Sequence, residues 1–331
     1  LLKRGVGHFA SKSAMDIDTL GERNVIALVD AGLVKDMADI YALTKEQVLE
    51  LDRFAEVSAS NLTLGKLFES HLDALAILHE LNIPVEQKGL WAVWAAEGGP
   101  KPLTLQAGKL SGIKPWCSAS VWVQHGLLTH RDEQQYSQLL ILDLSQEGIQ
   151  HHQDAWQAVG MQHTLTARLE LDHVEVEKVA APNAYLDRPG FWHGAAGVAA
   201  CWYGATVRLA EYLRQAVLLK PHAYKAMYLG EISRELLATQ SLFYQVAALI
   251  DQQPQHAHEL KIRSLRAQVE ATALNVLTHV GKALGAGPYC EHPHFARLAA
   301  DLPVFIRQSH AAFDLERIGE LTAQEEQLWT L

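Results

Sequence analysis

Leu110-Ser111-Gly112-Ile113-Lys114-Pro115-Trp116-Cys117-Ser118 decides how the rest of the chain is read. It stands within residues 91–181, where short strand-like runs replace helical periodicity. Glycines at 89, 98, 99, 108, 112 and 126 punctuate that region. Further on, Gln138-Leu139-Leu140-Ile141-Leu142-Asp143-Leu144 reads as a buried strand. Leu165, Ala167, Leu169 and Leu171 alternate with polar residues, as a half-exposed strand requires. Strands without intervening helices predict an antiparallel barrel or sandwich. Taken alone, Trp116 and Ser118 are a buried tryptophan beside a strand-end serine.

Helices flank this β-domain. Upstream, Leu64, Leu67, Phe68, Leu72, Leu75, Leu78 and Leu81 recur at helical spacing over 63–81, and Asn82 and Pro84 supply the stop. Downstream, helices are expected near 193–218, 222–251, 257–284 and 294–319, with breaks at Pro221, at Pro254 and over 285–288. Four long helices with short connections predict an antiparallel bundle across 182–331. The first is rich in small residues (Gly194, Ala195, Ala196, Gly197, Ala199, Ala200, Gly204 and Ala205), which lets a neighbouring helix approach closely. The fold class is therefore mainly α with a middle β-domain.

That order of helix, β-domain and four-helix bundle resembles the acyl-CoA dehydrogenase family over roughly residues 63–319. The opening stretch is similar to the family's Gly-x-Lys-x-Trp-Ile-Thr segment. The resemblance implies FAD as cofactor, with Trp116 as the wall against the flavin and Ser118 as its hydrogen-bond donor. Trp94-Ala95-Ala96-Glu97 falls where the family carries a flavin loop. Because Ala96 replaces the hydroxyl residue there, Ala95 and Ala96 are expected to contact the cofactor through backbone. Gly285-Ala286-Gly287-Pro288-Tyr289-Cys290-Glu291-His292-Pro293 resembles the loop that reaches the FAD of a neighbouring subunit. Gly285 and Gly287 are its contacts, and a homo-oligomer is implied. Residues 63–90 would then be the remnant of a larger N-terminal helical domain.

The family's reaction oxidises a CH–CH bond of an acyl thioester, and a positioned carboxylate takes the first proton. The corresponding stretch, Phe305-Ile306-Arg307-Gln308-Ser309-His310, holds no carboxylate. The family's Arg-x-x-Phe-Gly motif is not recognisable around 215–221. Losing a positioned base costs roughly a hundred- to ten-thousand-fold in rate. Asp187, in Tyr185-Leu186-Asp187-Arg188-Pro189-Gly190, is the substitute candidate, and His310 a second. Each also has an ordinary reading, as a solvated loop acid and as a surface or core histidine. The resemblance thus implies a flavoprotein that oxidises an acyl thioester or a related small molecule, or binds one without turnover.

Residues 1–62 read as something else. A tight turn at Leu20 and Gly21 leads into a helix through Val25, Ile26, Leu28 and Val29, and Leu51-Asp52-Arg53-Phe54-Ala55-Glu56-Val57-Ser58 reads as a second helical hairpin. A glycine in such a turn lets backbone N–H groups face outward, where they can hold a phosphate. The string His8-Phe9-Ala10-Ser11-Lys12-Ser13-Ala14-Met15-Asp16-Ile17-Asp18-Thr19-Leu20-Gly21 resembles the bacterial NAD-dependent DNA ligase family. So does Ala38-Asp39-Ile40-Tyr41-Ala42-Leu43-Thr44 with its continuation to Leu62. The resemblance implies a small helix-hairpin-helix arm with Leu20 and Gly21 at a DNA phosphate. Ala55 stands where that family favours glycine in the second hairpin. No Lys-x-Asp-Gly adenylation motif occurs in the chain, so DNA contact without ligation is the competing functional reading. The two families meet near 61–64 with no Gly/Ser/Pro-rich linker, as in a chimera.

Composition bounds these readings. A length of 331 residues suits about two domains. A net charge of −10 suits the chain as a whole poorly to nonspecific polyanion binding. Cys117, Cys201 and Cys290 are odd in number and far apart, which fits a reducing cytoplasm better than a disulfide framework. No apolar run approaches the roughly 20 residues of a membrane span. The pairs His151-His152 and His256-x-His258, and the Cys290-to-His294 run, lack the spacing of a strong metal site, so no metal is expected.

Overall fold

The computed structural model describes residues 51–84, 89–98, 101–325 and 329. The expected turn at Leu20 and Gly21 lies outside the described residues. Helix α1 (Leu51–Ser60) is one continuous helix, not the second hairpin that the sequence suggests. Ala55 is the reason at residue level, since without a glycine nothing favours a turn there. Asn61 then takes extended backbone, and its side chain accepts from Leu64 N at 2.9 Å, which starts α2 (Leu62–Glu80).

Helix α2 is buried nearly all round, including its polar Ser70 and His71. Both have partners on β1 (Trp91–Trp94). Ser70 Oγ accepts from Val93 N at 3.0 Å, and His71 Nδ1 accepts from Trp91 N at 3.1 Å. The helix thereby satisfies N–H groups that an edge strand would otherwise leave open.

The remaining strands are β2 (Thr104–Gln106), β3 (Lys109–Cys117), β4 (His125–Arg131), β5 (Ser137–Asp143), β6 (Ile149–His152) and β7 (Ala167–Val179). Their order is β1-β4-β5-β7-β3-β2, with β6 also on β7. The pairing β1–β4 is parallel and the others are antiparallel, so the sheet is mixed where the sequence predicted an antiparallel one. Strand β7 joins two layers. Its residues 167–175 pair with β3, 168–171 also with β6, and 176–179 with β5, while His173, where the β3 register shifts, has φ +55°.

After the short α3 (Ala184–Asp187) come α4 (Gly190–Leu219), α5 (Ala223–Gln252) and α6 (Glu259–Leu284). These match the first three expected bundle helices. The fourth, expected over 294–319, is divided. After the short α7 (Gly287–Glu291), α8 (Pro293–Phe305) gives way to a single 3-10 turn, and α9 (Ala312–Thr322) follows. Side chains compete with the helix for its backbone here. Asp314 Oδ2 accepts from His310 N at 2.9 Å and Ser309 Oγ from Ala311 N at 3.2 Å, with Ala311 at φ +44°.

The small residues of α4 do what their size allows. Gly204 lies so close to α1 that an added Cβ would stand 2.0 Å from the Ala55 carbonyl oxygen. Phe54 and Leu62 join the same core as Ala196, Ala200, Trp202 and Leu209. Among the described residues no helix is long and apolar enough to cross a membrane.

Candidate functional site

Strict alternation along β3 would place Trp116 on the same face as the buried Leu110, Gly112 and Lys114. The structure breaks that count. Against β7, Lys114 faces Leu169 and Cys117 faces Ala167, so one extra residue is accommodated in β3. Trp116 takes it up with φ +57°, a left-handed conformation that costs an L-residue about 1–2 kcal/mol. Its indole is turned outward, 58% exposed, and Cys117 takes the buried place instead. Ser118 follows as a buried residue whose N–H donates to Trp116 O at 3.1 Å.

Two segments brace this corner. Trp94 Nε1 donates to Ser118 O at 3.1 Å, and the Trp94 ring lies where only a glycine fits at 126. The next residues form a loop. Ala95 O accepts from Thr129 Oγ1 at 2.9 Å, Ala96 is exposed, and Glu97 pairs with Arg131 Nε at 2.6 Å. Below them Lys114 donates to Thr129 O at 3.1 Å, and burial pushes its ammonium down to about 8. Burial pushes the Cys117 thiol up to about 12, which leaves it a poor nucleophile. On the other side Ala119 N donates to Thr164 O at 2.8 Å, tying the corner to the turn before β7.

The structure therefore places Trp116 beside Ser118, and Trp94 ties Ser118 to the strand that leads into Ala95 and Ala96. The other nominated residues stand on other elements. Asp187 ends α3 and is exposed. Gly285, at φ +69°, and Gly287 border α7, and a Cβ on either would meet none of the described residues within 4 Å. His310 is exposed in the break between α8 and α9, and neighbouring Arg307 pairs with Glu270 at 2.6 Å.

One polar cluster escaped the sequence reading. A cavity of about 1040 Å³ lies among α1, α2, α4 and α5, with Asp73, Glu80 and Arg188 in one part of its lining and Tyr203, Phe243 and Tyr244 in another. The Arg188 guanidinium, 3% exposed, donates to Glu80 Oε2 at 2.8 Å and approaches Asp73 Oδ1 at 3.5 Å. Glu80 Oε1 also accepts from Gly190 N at 3.0 Å, at the start of α4. Burial outweighs the attraction of Arg188 and raises Asp73 to about 6. The available signal was Asp73 and Glu80, seven residues apart on one side of a helix that is buried nearly all round. The nominated Asp187 is the exposed neighbour of the residue that matters here.

Comparison with known proteins separates the chain into two likenesses. No protein-family model matches it. A DNA ligase of Azotobacter vinelandii is 54% identical over 84 residues, which are 25% of this chain and 11% of the ligase. A DNA ligase of Bacillus mycoides is 54% identical over 61 residues, 18% of this chain and 9% of that protein. These matches fall in the N-terminal quarter, and the chain spans about a tenth of the length of the curated relatives it matches.

Among solved structures, butyryl-CoA dehydrogenase from Megasphaera elsdenii superposes with a TM-score of 0.73 at 14% identity, covering 94% of this chain and 97% of that one. The chain has the acyl-CoA dehydrogenase fold. Methanesulfinate monooxygenase from Pseudomonas fluorescens gives 0.71 at 17% identity, over 99% of this chain and 97% of that one. TdsC from Paenibacillus sp. A11-2, in complex with FMN and indole, gives 0.72 at 14%, over 91% and 89%.

Proposed function

We propose that the chain from Phe54 onward is a flavin-dependent oxidoreductase whose cofactor ring lies against Trp116 and is hydrogen-bonded by Ser118. The observation that carries this reading is the β3 bulge, where a strained tryptophan turns its indole outward beside a buried serine. Strained backbone persists where the surroundings over-determine it, often at ligand sites. A planar ring covering the indole gains about 0.5–1.5 kcal/mol beyond the area it buries. Similar folds in complex with FMN and with FADH2 support the cofactor class. We take FAD as the form, following the likeness of the 285–293 loop, and a homo-oligomer as the assembly in which that loop serves.

Bound flavin would supply reversible electron and hydride transfer. The chain's own part is more limited. Trp116 shields one ring face from water, and Ser118 offers a hydroxyl donor. The Thr129 and Arg131 contacts hold the loop of Ala95, Ala96 and Glu97 in place. Loading the purified chain with FAD or FMN and desalting it tests this reading, since retained visible flavin absorbance is expected. A colourless protein after both incubations would end it.

For the reaction, oxidation of an acyl thioester rests on Asp187 as base. Asp187→Asn should then slow anaerobic bleaching of the flavin by butyryl-CoA by roughly a hundred- to ten-thousand-fold. Oxygen-dependent oxidation of a small organic molecule is the second reading. The missing carboxylate over 305–310 favours it, as do the similar folds of a monooxygenase and a nitrososynthase. In that case the same substitution leaves turnover unchanged. The ligase likeness supports a separate proposal, contact of Leu20 and Gly21 with a DNA phosphate. Its test is a salt-dependent gel shift that disappears when residues 1–50 are deleted.

A further inference from the structure

We infer that Asp301 is a positioning residue which, through the 161–164 turn, fixes the backbone that presents Trp116 and Ser118. The inference rests on the reading that this corner holds a flavin. Asp301 is on α8, 2% exposed, and its Oδ1 accepts from Met161 N at 2.5 Å. Met161 has φ +57° and Leu165 φ +44°, so the 3-10 turn between them is closed at both ends by left-handed residues. Neither is a glycine, and such backbone persists only where its surroundings dictate it.

The dictating contacts lie within the turn and on α8. Thr164 Oγ1 donates to Met161 O at 2.7 Å and lies 2.8 Å from Thr166 Oγ1. Gly160 seats the turn on α8, since an added Cβ would stand 2.1 Å from Ala300 O. From the turn the path continues to the corner. Thr164 O accepts from Ala119 N at 2.8 Å, and Ala119 is itself left-handed at φ +58°. Ser118 precedes it, and Cys117 pairs with Ala167 just beyond the turn. The corner is thus tied at two points to residues 161–167, and those residues are held on the bundle by the Asp301 carboxylate together with Met161, which is buried in the bundle core.

A merely space-filling role fits Asp301 poorly. Among the described residues its second oxygen, Oδ2, is buried without a hydrogen-bond partner, an arrangement that stability alone does not favour. What the carboxylate does provide is a charge-assisted bond, the short kind that fixes its donor in place.

The test compares Asp301→Leu, Asp301→Asn and Thr164→Val in the full chain, by amide hydrogen exchange and by flavin titration. Asp301→Leu should speed exchange in 159–166 and in 116–120 by about tenfold, the worth of one lost hydrogen bond. Flavin affinity should fall in step, while exchange in 196–213 of the bundle stays unchanged. Asp301→Asn keeps an oxygen for Met161 N and should restore both readouts to within about threefold. Thr164→Val keeps the carbonyl that accepts from Ala119 N but removes the hydroxyl that braces the turn on Met161 O. If Asp301→Leu does not fold, the Thr164 variant should still speed exchange at 116–120. Faster exchange at 159–166 with none at 116–120 overturns the inference, as does faster exchange at 116–120 with unchanged affinity. A chain that takes up no flavin refutes the cofactor reading instead, and the exchange arm still decides the coupling.

Discussion

Gly204→Ala puts the packing of α1 on the bundle to a test of sign. A methyl there stands 2.0 Å from Ala55 O and 2.6 Å from Ala55 C and Cα, all backbone atoms of α1. Short carbon–oxygen contacts lie near 3.3 Å, so α1 must withdraw by about 1 Å. It is poorly free to do so. Phe54 is buried in the bundle core, and Ser60 O accepts from His294 Nε2 at 2.9 Å. Overpacking costs about 1–3 kcal/mol, while alanine in a helix interior gains about 0.5–1 kcal/mol over glycine. The net expectation is a loss of about 1–2 kcal/mol. Gly230→Ala in α5 is the control, because none of the described residues lies within 4 Å of its added Cβ and only the gain of about 0.5–1 kcal/mol remains. Urea unfolding followed by circular dichroism reads both, with equal slopes required before midpoints are compared. A Gly204 variant as stable as the Gly230 variant would show that α1 is not seated there. Ala55→Gly should give no rescue, because the clash is with backbone.

Two further expectations concern buried charge. Asp73 is raised from 3.8 to about 6, so folding takes up a proton between those values and its contribution to stability is lost as pH rises through that window. Asp73→Asn should therefore gain on the parent chain from about pH 4 to about pH 6 and hold level above; urea midpoints whose difference does not move with pH would contradict this. Lys114 is lowered from 10.5 to about 8, so folding expels a proton and the parent chain gains stability as pH rises across that range. Lys114→Met should be more stable than the parent by about 1–2 kcal/mol at pH 7, after one lost hydrogen bond, with the advantage shrinking above pH 8. A less stable methionine variant at pH 7 would be the contrary result.

Local pattern sufficed where one residue's neighbours in sequence decide its place. The apolar spacing over 63–81 gives α2, and Gln138 to Leu144 gives β5 within one residue at each end. The alternation of Ala167, Leu169 and Leu171 is the buried face of β7. Long-range register was not legible. Counting by twos along β3 turns Trp116 inward, and the bulge that turns it outward exists only in the pairing of Lys114 and Cys117 with β7. The break after Phe305 depends on Asp314 reaching back to His310 N, and the hairpin expected in α1 yields to its seat on Gly204. Asp73 and Arg188 meet from elements over a hundred residues apart, so the sequence offered the exposed Asp187 in their place.

The most direct measurement is a titration of flavin fluorescence with the parent chain and with Trp116→Ala. The parent should quench the flavin saturably, and the variant should bind about tenfold more weakly, the fold-change of one lost stacking contact. Absence of quenching by the parent, or equal affinity in the two proteins, would contradict a flavin lying against Trp116.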